Sequence, residues 1–169
     1  MAAYVEKFGA TVNVTFSAIV KEINAFPDPN NASNYYASFY DNKNYIVPEG
    51  CEVFALNMNE GDDAFTMERL WTEGDIMAAN SAVIMRAHSN KISLTETNDD
   101  ATPTESYTSV LSGTVSGITC DEANTAYYVL SGQSTDGVLV GVGFYRYVGS
   151  TIPANKAEWC EVQRTRSSC

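Results

Sequence analysis

The sequence predicts an all-β fold, an antiparallel β-sandwich or a barrel-like variant of one, of about ten strands. Three observations predict it. Short stretches of alternating apolar and polar residues are broken by turn-forming clusters roughly every 8–12 residues. Ten Tyr and seven Phe, with many Val and Thr, suit a pleated, half-buried surface better than a helix. Finally, residues 74–82 and 149–157 are variants of one phrase. They share Gly74 and Gly149, Ala79 and Ala154, Asn80 and Asn155, Ala82 and Ala157, with apolar Met77 or Ile152 at the same offset. A repeat this widely spaced predicts two related halves, not a solenoid of short units.

Each element follows from its local pattern. In residues 10–16, Val12, Val14 and Phe16 alternate with polar residues, which predicts a half-buried strand. Ile19, Val20, Ile23 and Phe26 recur at helical spacing before Pro27, so residues 17–34 read as an inserted short helix or loop. Strands are expected at 35–40, 51–56, 65–71, 82–86 and 91–96. Residues 97–105 are polar and contain Pro103, the mark of an exposed loop. The second half follows a similar order, with strands at 109–115, 126–130, 138–147 and 157–162. The whole chain, 1–169, reads as one domain, with halves at 10–96 and 107–162 and a flexible tail at 163–169.

The repeated phrase has the chemistry of a corner. Gly74 and Gly149 can take positive φ after a strand, and Pro153 fixes φ just before the last strand. Asn80 and Asn155 tolerate the left-handed region or bond their own backbone. None of these is a catalytic residue type.

Composition removes several function classes. A net charge of −11 repels a phosphate backbone, which argues against nucleic acid as a partner. No apolar run reaches the ~18 residues of a bilayer span, so no membrane insertion is expected. His88 is the only histidine and lies in a polar turn, which leaves a nucleophile without a general base and a Cys/His zinc site without ligands. Cys51, Cys120, Cys160 and Cys169 have no metal-ligand spacing, and all three pairings stay open. The acids cluster at 60–63, 99–100 and 121–122, on expected loop tips. A carboxylate-based glycoside hydrolase is therefore the weaker alternative. No cofactor is expected; calcium, which takes loop oxygens, is the strongest metal option.

The segment most suggestive of binding is aromatic. Tyr35, Tyr36, Phe39, Tyr40 and Tyr45 are interspersed with Asn34, Asp41, Asn42 and Asn44. Tyrosine faces stack on sugar rings and amides bond hydroxyls, so Tyr35, Tyr36, Tyr40, Asn42 and Tyr45 are the candidate ligand residues. Strand alternation sends Tyr36 and Tyr40 to one face, Tyr35 and Phe39 to the other, and at least half of the cluster to the core.

Residues 45–50, 76–84, 110–114, 124–130 and 143–157 together carry a recognisable pattern. Its most specific part is Gly-Phe-Tyr at 143–145 followed by Ile-Pro-Ala-Asn-Lys-Ala at 152–157. Over residues 35–162 the chain resembles a β-rich module of secreted and cell-surface proteins of Bacteroides- and Prevotella-type bacteria, often placed near their C-termini. The resemblance implies an extracellular, non-catalytic accessory module with a glycan or protein partner, and it brings no catalytic residues. Ala78 stands where that module commonly has Pro. Residues 17–34 look inserted, and Trp159, Cys160 and the Arg-containing tail replace a more apolar ending. These last departures keep a second setting open, a structural or assembly protein such as a bacteriophage virion component.

Overall fold

The computed structural model describes residues 6–7, 10–11, 17–58, 65–120, 125–136 and 138–162. Most of the expected first strand (12–16), the acidic tip at 59–63, Asp121, Glu122 and the tail with Cys169 lie outside the described residues. Among those described, every regular element is a strand. They are β1 (Glu6–Lys7), β2 (Ala10–Thr11), β3 (Val20–Asn24), β4 (Phe26–Asp28), β5 (Asn31–Phe39), β6 (Asn44–Ile46), β7 (Cys51–Met58), β8 (Phe65–Thr72) and β9 (Ile76–Met77). There follow β10 (Val83–Ala87), β11 (Lys91–Thr97), β12 (Leu111–Thr114), β13 (Ile118–Thr119), β14 (Thr125–Thr135), β15 (Val138–Arg146), β16 (Thr151–Ile152) and β17 (Lys156–Val162).

Three antiparallel sheets stack. The middle one has the order β4-β5-β10-β7-β8, and strand alternation gives it two apolar faces. Ala37, Phe39, Val53, Val83 and Met85 point one way and join Ile23, Tyr45, Met77, Ile92 and Leu94 of the sheet β3-β11-β6-β9. Leu56 and Ile84 point the other way and join Leu111, Leu130 and Ala157 of the sheet β12-β17-β14-β15. Phe65 seals this second interface, edge-on to Trp159 with ring centroids 5.0 Å apart. The outer sheets thus share one inner sheet, and neither interface alone uses all of the apolar surface.

One strand order occurs twice. The run β5-β10-β7-β8, with its ribbon β6-β9, has the connectivity of β12-β17-β14-β15, with its ribbon β13-β16. Even the ribbons match: Val47 N–H donates to Asp75 O at 2.9 Å, and Cys120 N–H to Ser150 O at 3.0 Å. The first unit additionally has β3, β4 and β11.

The helix or loop expected at 17–34 is instead β3, β4, a turn at 29–30 and the start of β5. The helical spacing was misleading because its apolar residues do not share one buried face. Ile23 is buried, whereas Ile19 and Val20 are 65% and 52% exposed. β3 is held by its ladder to β11, with Ile23 opposite Ile92. Pro27 fits because β4 is an edge strand, where a missing N–H costs no ladder bond.

Candidate binding cleft and its surroundings

The corner phrase shapes the junction of the two units. Asn80 and Asn155 both adopt positive φ, 62° and 61°. Each then donates its backbone N–H to the chain just leaving a strand or at its end. Asn80 bonds Asp41 O at 2.7 Å, and Asn155 bonds Thr114 O at 2.9 Å. Gly74 has φ 83°, but Gly149 is not in the left-handed region. Its lack of a side chain instead makes room for the Tyr147 ring end, whose hydroxyl a Cβ there would meet at 2.5 Å. Pro153 and Ala78 occupy matching exits from β16 and β9, Pro153 exposed.

This junction holds the half-buried Tyr40 by hydrogen bonds. Its hydroxyl donates to Asn80 Oδ1 (3.3 Å), its carbonyl accepts from Asn155 Nδ2 (3.1 Å), and its N–H reaches Asn155 O (3.4 Å). One residue is therefore held by both corner asparagines. Its ring lies against Gly113, where an added Cβ would come within 2.4 Å of Tyr40 Cβ and Cγ.

The remaining aromatic candidates also separate. Tyr45 is only 2% exposed, edge-on to Phe39 at 5.5 Å, so it cannot belong to a surface platform. Its hydroxyl donates to Asp41 Oδ2 at 2.9 Å. Asp41, itself buried, also pairs with Lys21 and accepts the Asn42 N–H at 2.7 Å. Burial works against the charge on Asp41, but the Lys21, Tyr45 and Asn42 donors prevail and hold its carboxyl below the usual range. Burial, and then Asp41, push the Tyr45 hydroxyl above its usual range. Tyr45→Phe is expected to cost about 2 kcal/mol, the net value of one hydrogen bond to a charged acceptor, measured by urea denaturation. Asp41 stabilises the fold above its unfolded value of 3.8, and that contribution is lost as the pH falls through its lower folded value.

Asn42 is exposed, and Tyr35 is half-buried on β5, opposite Ala87 and Pro27. Tyr36 faces the other way and lines a cleft of about 410 Å³ between the middle sheet and the β12-β17-β14-β15 sheet. One wall carries Tyr36, Leu56, Ile84, Phe65 and Met67; the other carries Leu130, Val142 and Phe144. Asp28 at the end of β4 and Asn30 in the turn that follows add polar groups. The Asp28 carboxylate is oriented by accepting the Asn30 N–H at 2.9 Å. The volume lies within the ordinary range for small-ligand sites or for one or two side chains. Beside it runs β15, the last strand of its sheet, with Val138 64% and Val140 49% exposed. In the sequence these residues were visible only as strand apolars, because the two walls come from segments far apart in the chain.

Comparison with known proteins adds no relative: no family model, curated protein or solved structure matches this chain.

Charged chemistry lies elsewhere. Glu52 is forked between Arg86 and Arg69, the latter at 3.0 Å, and Arg86 followed by Arg69 holds its carboxyl below the usual range. His88 is exposed, as expected of a turn. Among the described residues no three His, Cys, Asp or Glu side chains gather as metal ligands; the acidic tip at 59–63 lies outside them. Two acids outside the expected tip clusters are buried, Asp41 with its partners and Glu158. Glu158, on β17, is 0% exposed, and among the described residues neither carboxylate oxygen has a hydrogen-bond partner. Burial pushes its carboxyl up to about 7.

Proposed function

We propose that this chain is a non-catalytic binding module of a secreted or cell-surface bacterial protein. We infer further that it takes an extended segment of a partner protein along β15, with an apolar side chain in the adjacent cleft. The single observation that carries this reading is the apolar cleft beside β15, an edge strand with no strand partner on its outer side among the described residues, which exposes Val138 and Val140. A free edge offers backbone donors and acceptors for strand addition, and the pockets beside it select side chains. Asp28 and Asn30 would fix the orientation of the segment by accepting from its donors. The mostly apolar walls suit a side chain better than a sugar, and the dispersal of Tyr35, Tyr40 and Tyr45 weakens the glycan alternative. The extracellular setting rests on the resemblance in residues 35–162.

Peptides selected from a displayed random library against the full chain provide the test. The expected binders are alternating apolar sequences whose affinity falls at least tenfold with Val140→Lys, since a charged edge blocks strand addition. The melting curve of the variant should be unchanged. Equal binding to wild type and Val140→Lys, or binders found only on a glycan array, would overturn the reading. The same free edge favours a second reading, assembly with further copies of the chain, which predicts concentration-dependent association by light scattering.

A further inference from the structure

We propose that Cys120 and Cys160 are a disulfide pair which, once oxidised, ties the β13-β16 ribbon to β17. The matching strand orders place them. Cys120 holds the position of Val47, since each donates its N–H to the residue after the first glycine of a corner phrase. Cys160 holds the position of Met85, three residues beyond Ala157 and Ala82 respectively. Register agrees: Met85 lies opposite Val53 on β7, and Cys160 opposite Tyr127 on β14. In the first unit Val47 and Met85 are 1% and 0% exposed members of one core cluster. Their counterparts therefore face a common interior, on the side of β17 away from Trp159.

A second observation agrees with this placement. Both thiols are free in this structure. Burial, then Glu158 and Cys120, raise the Cys160 thiol to about 11, so Cys120 lies near enough to Cys160 to act on it through space. Cys51 is no competing partner. It is buried between the first two sheets, with the middle sheet and then β17's own sheet between it and the far face of β17.

The chemistry is thiol–disulfide exchange with a small-molecule or enzymic disulfide, R–S–S–R. One protein thiolate attacks a sulfur of that disulfide and releases RS⁻. The other then loses its proton to solvent and attacks the mixed disulfide, releasing the second RS⁻. Two electrons pass from the cysteine pair to the reagent, which leaves as two thiols after protonation. Because Cys160 is held protonated near neutral pH, closure should accelerate as pH rises.

The test is to incubate the folded full-length chain with oxidised glutathione, quench with an alkylating agent and map the peptides by mass spectrometry. The expected result is one intramolecular Cys120–Cys160 link and a thermal midpoint roughly 5–10 °C above that of the reduced protein. Cys120→Ala and Cys160→Ala should abolish that rise, while Cys51→Ala and Cys169→Ala keep it. Recovery of Cys120 and Cys160 as separately alkylated or glutathionylated peptides would overturn the pairing, as would a link to Cys51 or Cys169. Mapping on the wild-type chain decides the matter even if a variant fails to fold.

Discussion

Glu158→Leu is expected to stabilise the protein by about 3 kcal/mol at pH 8, with a gain that shrinks steadily as the pH is lowered toward 4. The burial of an unpartnered carboxyl on β17 is the cause. Its ordinary value is 4.5 and its folded value about 7. Between those two limits the folded chain keeps a proton that the unfolded chain has lost. Unfolding therefore releases a proton, and stability falls as pH rises through this window. The penalty is absent below about 4.5 and complete above about 7. At about 1.4 kcal/mol per unit, the shift corresponds to about 3 kcal/mol. Leucine removes both the charge and the unsatisfied oxygens. Glu158→Gln should remove the pH dependence and keep a polar desolvation cost, so it should fall between wild type and leucine at pH 8. Urea midpoints of the three proteins between pH 4 and 9 provide the measurement. Subtracting wild type cancels the opposite trends from Asp41 and Glu52. A constant difference at every pH would mean that the carboxyl is not held neutral.

The second large effect is expected at Gly113, where alanine should cost about 3 kcal/mol. The new methyl would lie 2.4 Å from Tyr40 Cβ and Cγ. The Cβ is fixed by the backbone and cannot swing away as a side-chain tip can. Overpacking alone costs about 1–3 kcal/mol. Relief requires β12 and the end of β5 to part, which strains the Tyr40–Asn155 hydrogen bonds at about 1 kcal/mol each. Gly143→Ala is the control. Its methyl would make only ordinary contacts with the Tyr145 ring at 3.9–4.0 Å, and a less flexible unfolded chain even favours it slightly. Calorimetric melting of both variants is the check: a Gly113→Ala midpoint equal to that of Gly143→Ala would show that the junction yields freely.

Much of the fold was readable because it rests on local signals. Alternation exposed β7, β8, β10, β11, β14 and β15, and the twice-used asparagine corner was correctly assigned to backbone geometry. The failures were non-local. Ile19, Val20 and Ile23 offered helical spacing, and only the ladder to β11 decides for a strand. Tyr45 was a candidate ligand aromatic, because nothing near it in the chain shows that it is buried in one core with the distant Met77, Ile92 and Leu94. Glu158 alternates with Ala157 and Trp159, the signature of a solvent-facing position, yet that face is buried too. The cleft was illegible for the same reason, since Leu56 and Phe144 meet only when two sheets close on one another.

The middle sheet, apolar on both faces, has a consequence for how the protein is made. Synthesis proceeds from the N-terminus, and the segments that pair the first two sheets are complete by Thr97. Leu56, Phe65, Met67 and Ile84 then have no cover until β12, β14, β15 and β17 have left the ribosome. During that interval the nascent chain is a nearly finished sandwich with an adhesive back. Slow elongation over residues 98–162 would prolong the hazard, and a holdase bound to that back would shorten it.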